Sequence, residues 1–292
     1  MLKLATLWTV VLTACGSITT RDDVSYDDRY ASDVLDVYFP PPVSTPRPAV
    51  LVIHGGGWHD GIYRDSIASQ AERLAEAGYV AINIEYRLVP SEGGQYPHAV
   101  QDCYCALAWT RANATALGID PARVAGLGYS AGGHLVSMLG VDTDADVQPD
   151  CAAGTTTPLA AVVSGAGPED MAALPQVSSV TEFVGGTTSD VPALYTAASP
   201  LSHVAPGAPP YLFVDGNDDW FVNIDEQARP MQAALDAVGA ETRFFEIPGG
   251  GHILNSGVDG ASWELPLTSI ETPEAADAIV DFLDHTIGPV PQ

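Results

Sequence analysis

The chain has 292 residues, enough for one large α/β domain or two small ones, and 46% of them are hydrophobic, ample for a core. Its formal charge is −26, from 37 acidic against 11 basic residues, and Lys3 is the only lysine. That balance argues against nucleic acid or an anionic membrane surface as a partner, fits a soluble exported protein, and names no reaction.

The N-terminus reads as a targeting segment. Met1-Leu2-Lys3 is a short charged start, and Leu4 to Val11 is an apolar run too short to span a bilayer. Leu12-Thr13-Ala14-Cys15 follows and resembles a bacterial lipobox, which implies cleavage after residue 14 and lipidation of Cys15. Residues 1–15 are therefore expected to be a lipoprotein signal, and residues 16–31 a flexible tether and the start of an edge hairpin. Gly16 rather than Asp follows the Cys, the pattern of release to an outer membrane. The expected location is outside the cytoplasm, with membrane contact only through the Cys15 anchor.

Residues 32–288 read as one domain. Asp33 to Phe39 alternates and ends at three prolines, as an edge strand does. Ala49 to Ile53 is a continuous apolar run, the mark of a strand buried on both faces. Then come a helix over 66–77, a strand over 79–84, a long helix over 97–117 and a strand over 123–127. Ala131 to Leu139 reads as a helix. Strands follow over 159–163, 211–214 and 242–247, with helices over 225–238 and 273–285 flanking the last. Strands alternating with helices imply a mostly parallel sheet covered on both faces, with its chemistry at the carboxyl ends of the strands. Residues 165–209 break the alternation and read as a small insertion over the sheet edge.

Gly128-Tyr129-Ser130-Ala131-Gly132 is a G-x-S-x-G pentapeptide between a strand and a helix. Such a turn exposes a serine above the sheet as a nucleophile, and the helix start offers unpaired N–H groups to a developing anion. His54-Gly55-Gly56-Gly57-Trp58 follows an earlier strand. Its glycines allow backbone N–H groups to face a cavity, and two donors there, with the N–H of Ala131, would bind a developing oxyanion. It lacks the Lys and Ser/Thr that a phosphate loop requires, and His54 reads as a structural hydrogen-bonder of the loop. Gly249-Gly250-Gly251-His252 after the last strand supplies the expected base. His59, His98, His134, His203 and His285 read as surface or packing residues. Asp215, Asp218, Asp219 and Asp225 all follow the penultimate strand, and Asp219 is the expected acid. The chain order is then Ser130, Asp219, His252. No metal or organic cofactor is required.

These motifs, with Glu85-Tyr86-Arg87-Leu88, Tyr96-Pro97-His98-Ala99-Val100-Gln101-Asp102 and Ala198-Ser199-Pro200-Leu201, resemble those of α/β-hydrolase esterases. The closest groups are hormone-sensitive-lipase-like carboxylesterases and bacterial feruloyl/acetyl-xylan esterase-like enzymes. The resemblance covers about residues 32–285. It implies an α/β-hydrolase fold and a serine ester hydrolase, with Ser130 as nucleophile, His252 as base, Asp219 as acid and Gly56, Gly57 and Ala131 as oxyanion donors. Two departures stand out. Asp215-Gly216 replaces the usual His-Gly, which leaves Asp215 as a rival acid, and the large N-terminal helical cap is missing. The expected substrate is a short-chain or aryl ester. An ester borne on a polysaccharide or synthetic polymer, an amide, or a silent binding module are the alternatives.

Other features are weaker. Trp58, Trp220 and Phe221 flank the expected site and are candidates for an acyl or aryl pocket, with simple packing as the alternative. Trp263, in the long segment after the base, is a candidate to close over it. Asp142, Asp144, Asp146 and Asp150 lack the Gly and Glu of a calcium loop and read as an acidic surface loop. Cys103 and Cys105 sit two apart on one helix and point to different faces, so either one, but not the pair, is placed to meet Cys151.

Overall fold

The computed structural model describes residues 17–142, 147, 151–154, 156–252 and 272–291. The expectations for the signal segment and Cys15, for Asp144, Asp146 and Asp150, and for Trp263 lie outside the described residues. No described helix is long and apolar enough to cross a membrane.

Eight strands form one sheet. They are β1 (Thr19–Ser25), β2 (Val34–Phe39), β3 (Arg47–Ile53), β4 (Val80–Ile84), β5 (Ile119–Tyr129), β6 (Val162–Gly165), β7 (Tyr211–Gly216) and β8 (Thr242–Ile247), in the order β1-β2-β4-β3-β5-β6-β7-β8. β2 is antiparallel to both β1 and β4, and every other pair is parallel. The fold is that of the α/β hydrolases.

Period-two alternation sends neighbouring residues to opposite faces. Leu51 and Ile53 of β3 join one core layer with Leu135 and Met138 of α4 (Ala131–Val141), Leu107 of α2 (His98–Ala112) and Met231 of α7 (Ala228–Ala237). Val50 and Val52 join the other with Leu74 of α1 (Ala68–Ala77) and Phe282 of α8 (Pro273–Thr286). Both faces are thus covered, which is why β3 is apolar throughout its inner length. Short pieces complete the helices: α3 (Ala114–Leu117) after a break at Asn113, and α5 (Ser178–Val184) and α6 (Pro192–Ala197) within the expected insertion.

The expected edge hairpin is present, but it begins earlier than expected: β1 starts at Thr19, within the stretch read as a tether, and pairs with β2 from Thr19↔Phe39 to Ser25↔Val34. Its sequence, Thr-Thr-Arg-Asp-Asp-Val-Ser, carries no apolar alternation because it is an edge strand exposed along most of its length. Backbone pairing and polar ties hold it instead. Asp23 N–H donates to Asp36 Oδ1 at 2.8 Å, and the Arg64 guanidinium bridges Asp23 and Asp36.

Candidate active site

Sheet register brings the expected site residues to one edge. Ile53 at the end of β3 pairs with Gly128 near the end of β5, so the glycine loop after β3 adjoins Ser130. β6 pairs Gly165 with Tyr129, and β7 pairs Gly216 with Ile247, which places the carboxyl ends of β5 to β8 in one row.

The turn at Ser130 is strained. Its φ of 55° and ψ of −119° lie where few non-glycine residues go. The flanking glycines make this turn feasible. A Cβ on Gly128 would stand 2.2 Å from Gly132 O, and one on Gly132 would stand 2.0 Å from Ile53 O. Ser130 is only 8% exposed. Its Oγ lies 2.9 Å from His252 Nε2, and His252 Nδ1 lies 2.7 Å from Asp219 Oδ2.

Asp219 is buried, and its second oxygen accepts the N–H groups of Phe221 and Val222, each at 2.9 Å. The loops carrying acid and base are tied together. Asp218 N–H donates to Gly250 O at 2.8 Å, and Gly249 N–H to Asn217 Oδ1 at 2.7 Å. Of the four candidate aspartates, then, Asp219 alone reaches the imidazole. Asp218 and Asp225 are exposed. Asp215 is buried, and its Oδ2 has no hydrogen-bond partner among the described residues. Burial and then the charge of Asp219 push its carboxyl up to about 8, so it is protonated at neutral pH.

Gly56 and Gly57 have φ of 108° and 65°, and a Cβ on Gly56 would stand 2.7 Å from Ile62 Cβ. A Cβ on Gly55 would lie 3.3 Å from Ser130 Cβ, so this loop runs against the serine. Among the described residues neither Gly56 N–H nor Gly57 N–H has an internal acceptor. Ala131 opens α4, where a helix leaves its N–H unpaired. His54 supports the loop from beneath. It is fully buried and stacks on Tyr86 with ring centroids 4.4 Å apart; its ring nitrogens lie 2.7 Å from Gly55 O and from Glu85 Oε1.

The aromatic candidates divide. Trp58 is 2% exposed, stacks on Phe183 at 4.4 Å, and donates its indole N–H to His134 Nδ1 at 3.2 Å. It packs the oxyanion-side loop onto α4 and α5 and does not line a pocket, so its expected substrate contact is corrected to packing. Phe221 meets the His252 ring at 5.5 Å, and Trp220 stands beyond it in solvent.

Sequence reading gave no role to three residues near this site. Tyr129 lies 5.5 Å from the His252 ring, and Glu85 anchors His54. Glu169, fully buried, accepts the hydroxyls of Ser137 and Ser164, and burial raises its carboxyl to about 8. Glu85 sits in a motif that was read, but nothing local points a Glu at a distant His. His59, His98, His203 and His285 bond elsewhere, to Glu182, Gly93 O, Ala197 O and Glu241. Cys105 and Cys151 form a disulfide, and Cys103 stays free and buried.

Comparison with known proteins places the chain among esterases. The BD-FAE family profile matches residues 35–235. Esterase LipC of Mycobacterium tuberculosis is 33% identical over 286 residues, covering 93% of this chain and 68% of LipC. Esterase LipQ of the same organism is 28% identical, covering 91% of this chain and 62% of LipQ, so the chain spans about two thirds of these relatives. A truncated carbohydrate esterase from gut microbiota superposes with a TM-score of 0.77 at 25% identity, over 92% of this chain and 96% of that one. Esterase 2 of Thermogutta terrifontis, with propionate bound, shares the fold at a TM-score of 0.72 and 21% identity, over 96% and 98% of the two chains. By its sequence profile and its curated relatives, the chain belongs to the BD-FAE family of α/β-hydrolase esterases.

Proposed function

We propose that this chain is a serine carboxylesterase acting through an acyl-enzyme on short-chain esters. One observation carries the reading: Ser130 Oγ, His252 and Asp219 form a continuous relay of 2.9 and 2.7 Å contacts at the sheet edge. In the proposed first step His252 Nε2 takes the Ser130 proton as Oγ attacks the ester carbonyl. Asp219 holds the imidazole by Nδ1 and offsets the charge of the imidazolium. The tetrahedral oxyanion is received by the N–H groups of Gly56, Gly57 and Ala131. One such donor is worth about 3–4 kcal/mol of barrier. Collapse passes the proton from His252 to the departing alcohol. Water, activated by the same imidazole, then releases the acid and restores Ser130.

A second reading has the ester borne on a carbohydrate. The likeness to a carbohydrate esterase supports it.

Ser130→Ala should lower kcat/KM on p-nitrophenyl acetate by about a thousandfold or more while leaving the fold intact. A fluorophosphonate probe should label the wild type and not the variant. Wild-type turnover in Ser130→Ala would overturn the reading. Release of aminoacyl-anilide faster than acetate would replace it with an amidase.

A further inference from the structure

Trp220 has an exposure that packing does not explain. It is 76% exposed, the most of any large hydrophobic residue among those described. It is also rigidly presented. The two N–H groups after it, of Phe221 and Val222, are both held by Asp219 Oδ1, so residues 219–222 form a fixed turn with Trp220 near its tip. The Trp220 ring meets Phe221 nearly perpendicularly at 5.7 Å, and Phe221 meets His252 at 5.5 Å and 65°. An aromatic file therefore runs from the imidazole outward: His252, Phe221, Trp220.

The chemistry fixes which part of an ester this file faces. The proton of His252 Nε2 goes to the leaving oxygen, so the alcohol portion must stand on the His252 side of Ser130. The carbonyl oxygen lies on the other side, against Gly56, Gly57 and Ala131. An indole held open to solvent beyond His252 is placed for the alcohol portion and not for the acyl chain. Its broad apolar face suits the flat face of a ring, whether aryl or pyranose. Asp218, two residues earlier in the same loop, is exposed, which disfavours an anionic ring.

We infer that Trp220 is a specificity-determining platform for the neutral, ring-bearing alcohol portion of the ester. This inference rests on the serine-esterase reading above. It makes a kinetic statement that a purely structural role does not. The alcohol departs on acylation, so Trp220 acts on kcat/KM and not on hydrolysis of the acetyl-enzyme, which is the same for every acetate.

The test compares ethyl acetate, benzyl acetate and an acetylated methyl xyloside on wild type, Trp220→Ala, Trp220→Phe and, as a control, Val43→Ala, an exposed apolar residue between β2 and β3. In Trp220→Ala the ratio of kcat/KM for a ring-bearing acetate to that for ethyl acetate should fall about 3- to 10-fold, the range of one aromatic contact. Trp220→Phe should recover most of it, and Val43→Ala should match wild type. A drop confined to the xyloside identifies a pyranose, and one confined to the benzyl ester identifies an aryl group. An unchanged ratio, or an equal loss on all three acetates, overturns the inference while leaving the esterase reading in place. A wild type inert to all three, with no acetyl-enzyme in a mass spectrum, overturns both.

Discussion

Asp215 and Asp219 lie four residues apart at the end of β7, and both are buried, yet only Asp219 reaches His252. The difference lies in what each oxygen finds. Asp219 is met by two N–H groups and an imidazole, all suited to a carboxylate. Burial opposes the ionisation of Asp215 most, the Asp219 charge and then Glu246 add to it, and the Ala166 backbone N–H and Arg229 favour it. Its carboxyl is raised from 3.8 to about 8. The sign of the linkage follows. The fold favours the protonated form, so this contribution to stability is complete below about pH 4, declines as pH rises, and is lost above about pH 8. Glu169, also raised to about 8, acts in the same direction. The unfolding free energy from urea melts should therefore fall between pH 5 and pH 8.5. Asp215→Asn, a mimic of the neutral acid, should flatten that fall and keep activity within a few-fold. Asp219→Asn should cost about a thousandfold or more in kcat/KM, as expected when the imidazole loses its orienting carboxylate. An identical pH slope in Asp215→Asn and wild type would contradict a protonated Asp215.

At the scale of elements, the turn between β5 and α4 is set by backbone contact. The Cβ of an alanine at 132 would lie 2.0 Å from Ile53 O, an atom of a central strand that cannot give way. Gly132→Ala should cost on the order of 3–5 kcal/mol or prevent folding, read as soluble yield and thermal midpoint. Gly186→Ala, where the nearest atom is a Val191 methyl at 3.2 Å, should stay within about 1 kcal/mol. Equal melting temperatures for the two variants would refute this account of the turn. These glycines also explain what was legible. Gly128, Gly132, Gly56 and Gly57 occur where strands end, and β3 and β4 are apolar runs, so sequence pattern located the sheet core, the serine turn and the glycine loop. The start of β1 was placed too late because an exposed edge strand has no core face to encode. Trp58 was misplaced because proximity along the chain to Gly57 says nothing of Phe183 and His134, which come together with it only through tertiary packing. The choice of Asp219 over Asp215 hung on loop geometry. The cysteine partner depended on which face of α2 meets the chain after α4.

Across the whole molecule the expected site draws on four separated segments, and one covalent tie encloses the central one. The Cys105–Cys151 disulfide spans a sequence separation of 46, and that loop contains α3, β5, Ser130 and α4. Joining its ends removes conformational freedom from the unfolded chain, an effect worth about 2–4 kcal/mol for a loop of this length. The bond does not touch the Ser130–His252–Asp219 contacts, and the loop already packs through β3, β6 and the helices over them. Stability and activity should therefore separate. Cys151→Ser should lower the thermal midpoint by about 5–10 °C, with kcat/KM at 25 °C unchanged. Dithiothreitol should shift the wild-type midpoint down to that of the variant and leave the variant where it is. Cys103 offers no replacement partner, since it is fully buried and burial raises its thiol well above the usual range. A Cys151→Ser protein that keeps the wild-type midpoint would show that the native contacts alone set the stability of this half of the sheet. One that folds but loses esterase activity at 25 °C would mean that the tie also holds the serine turn in register.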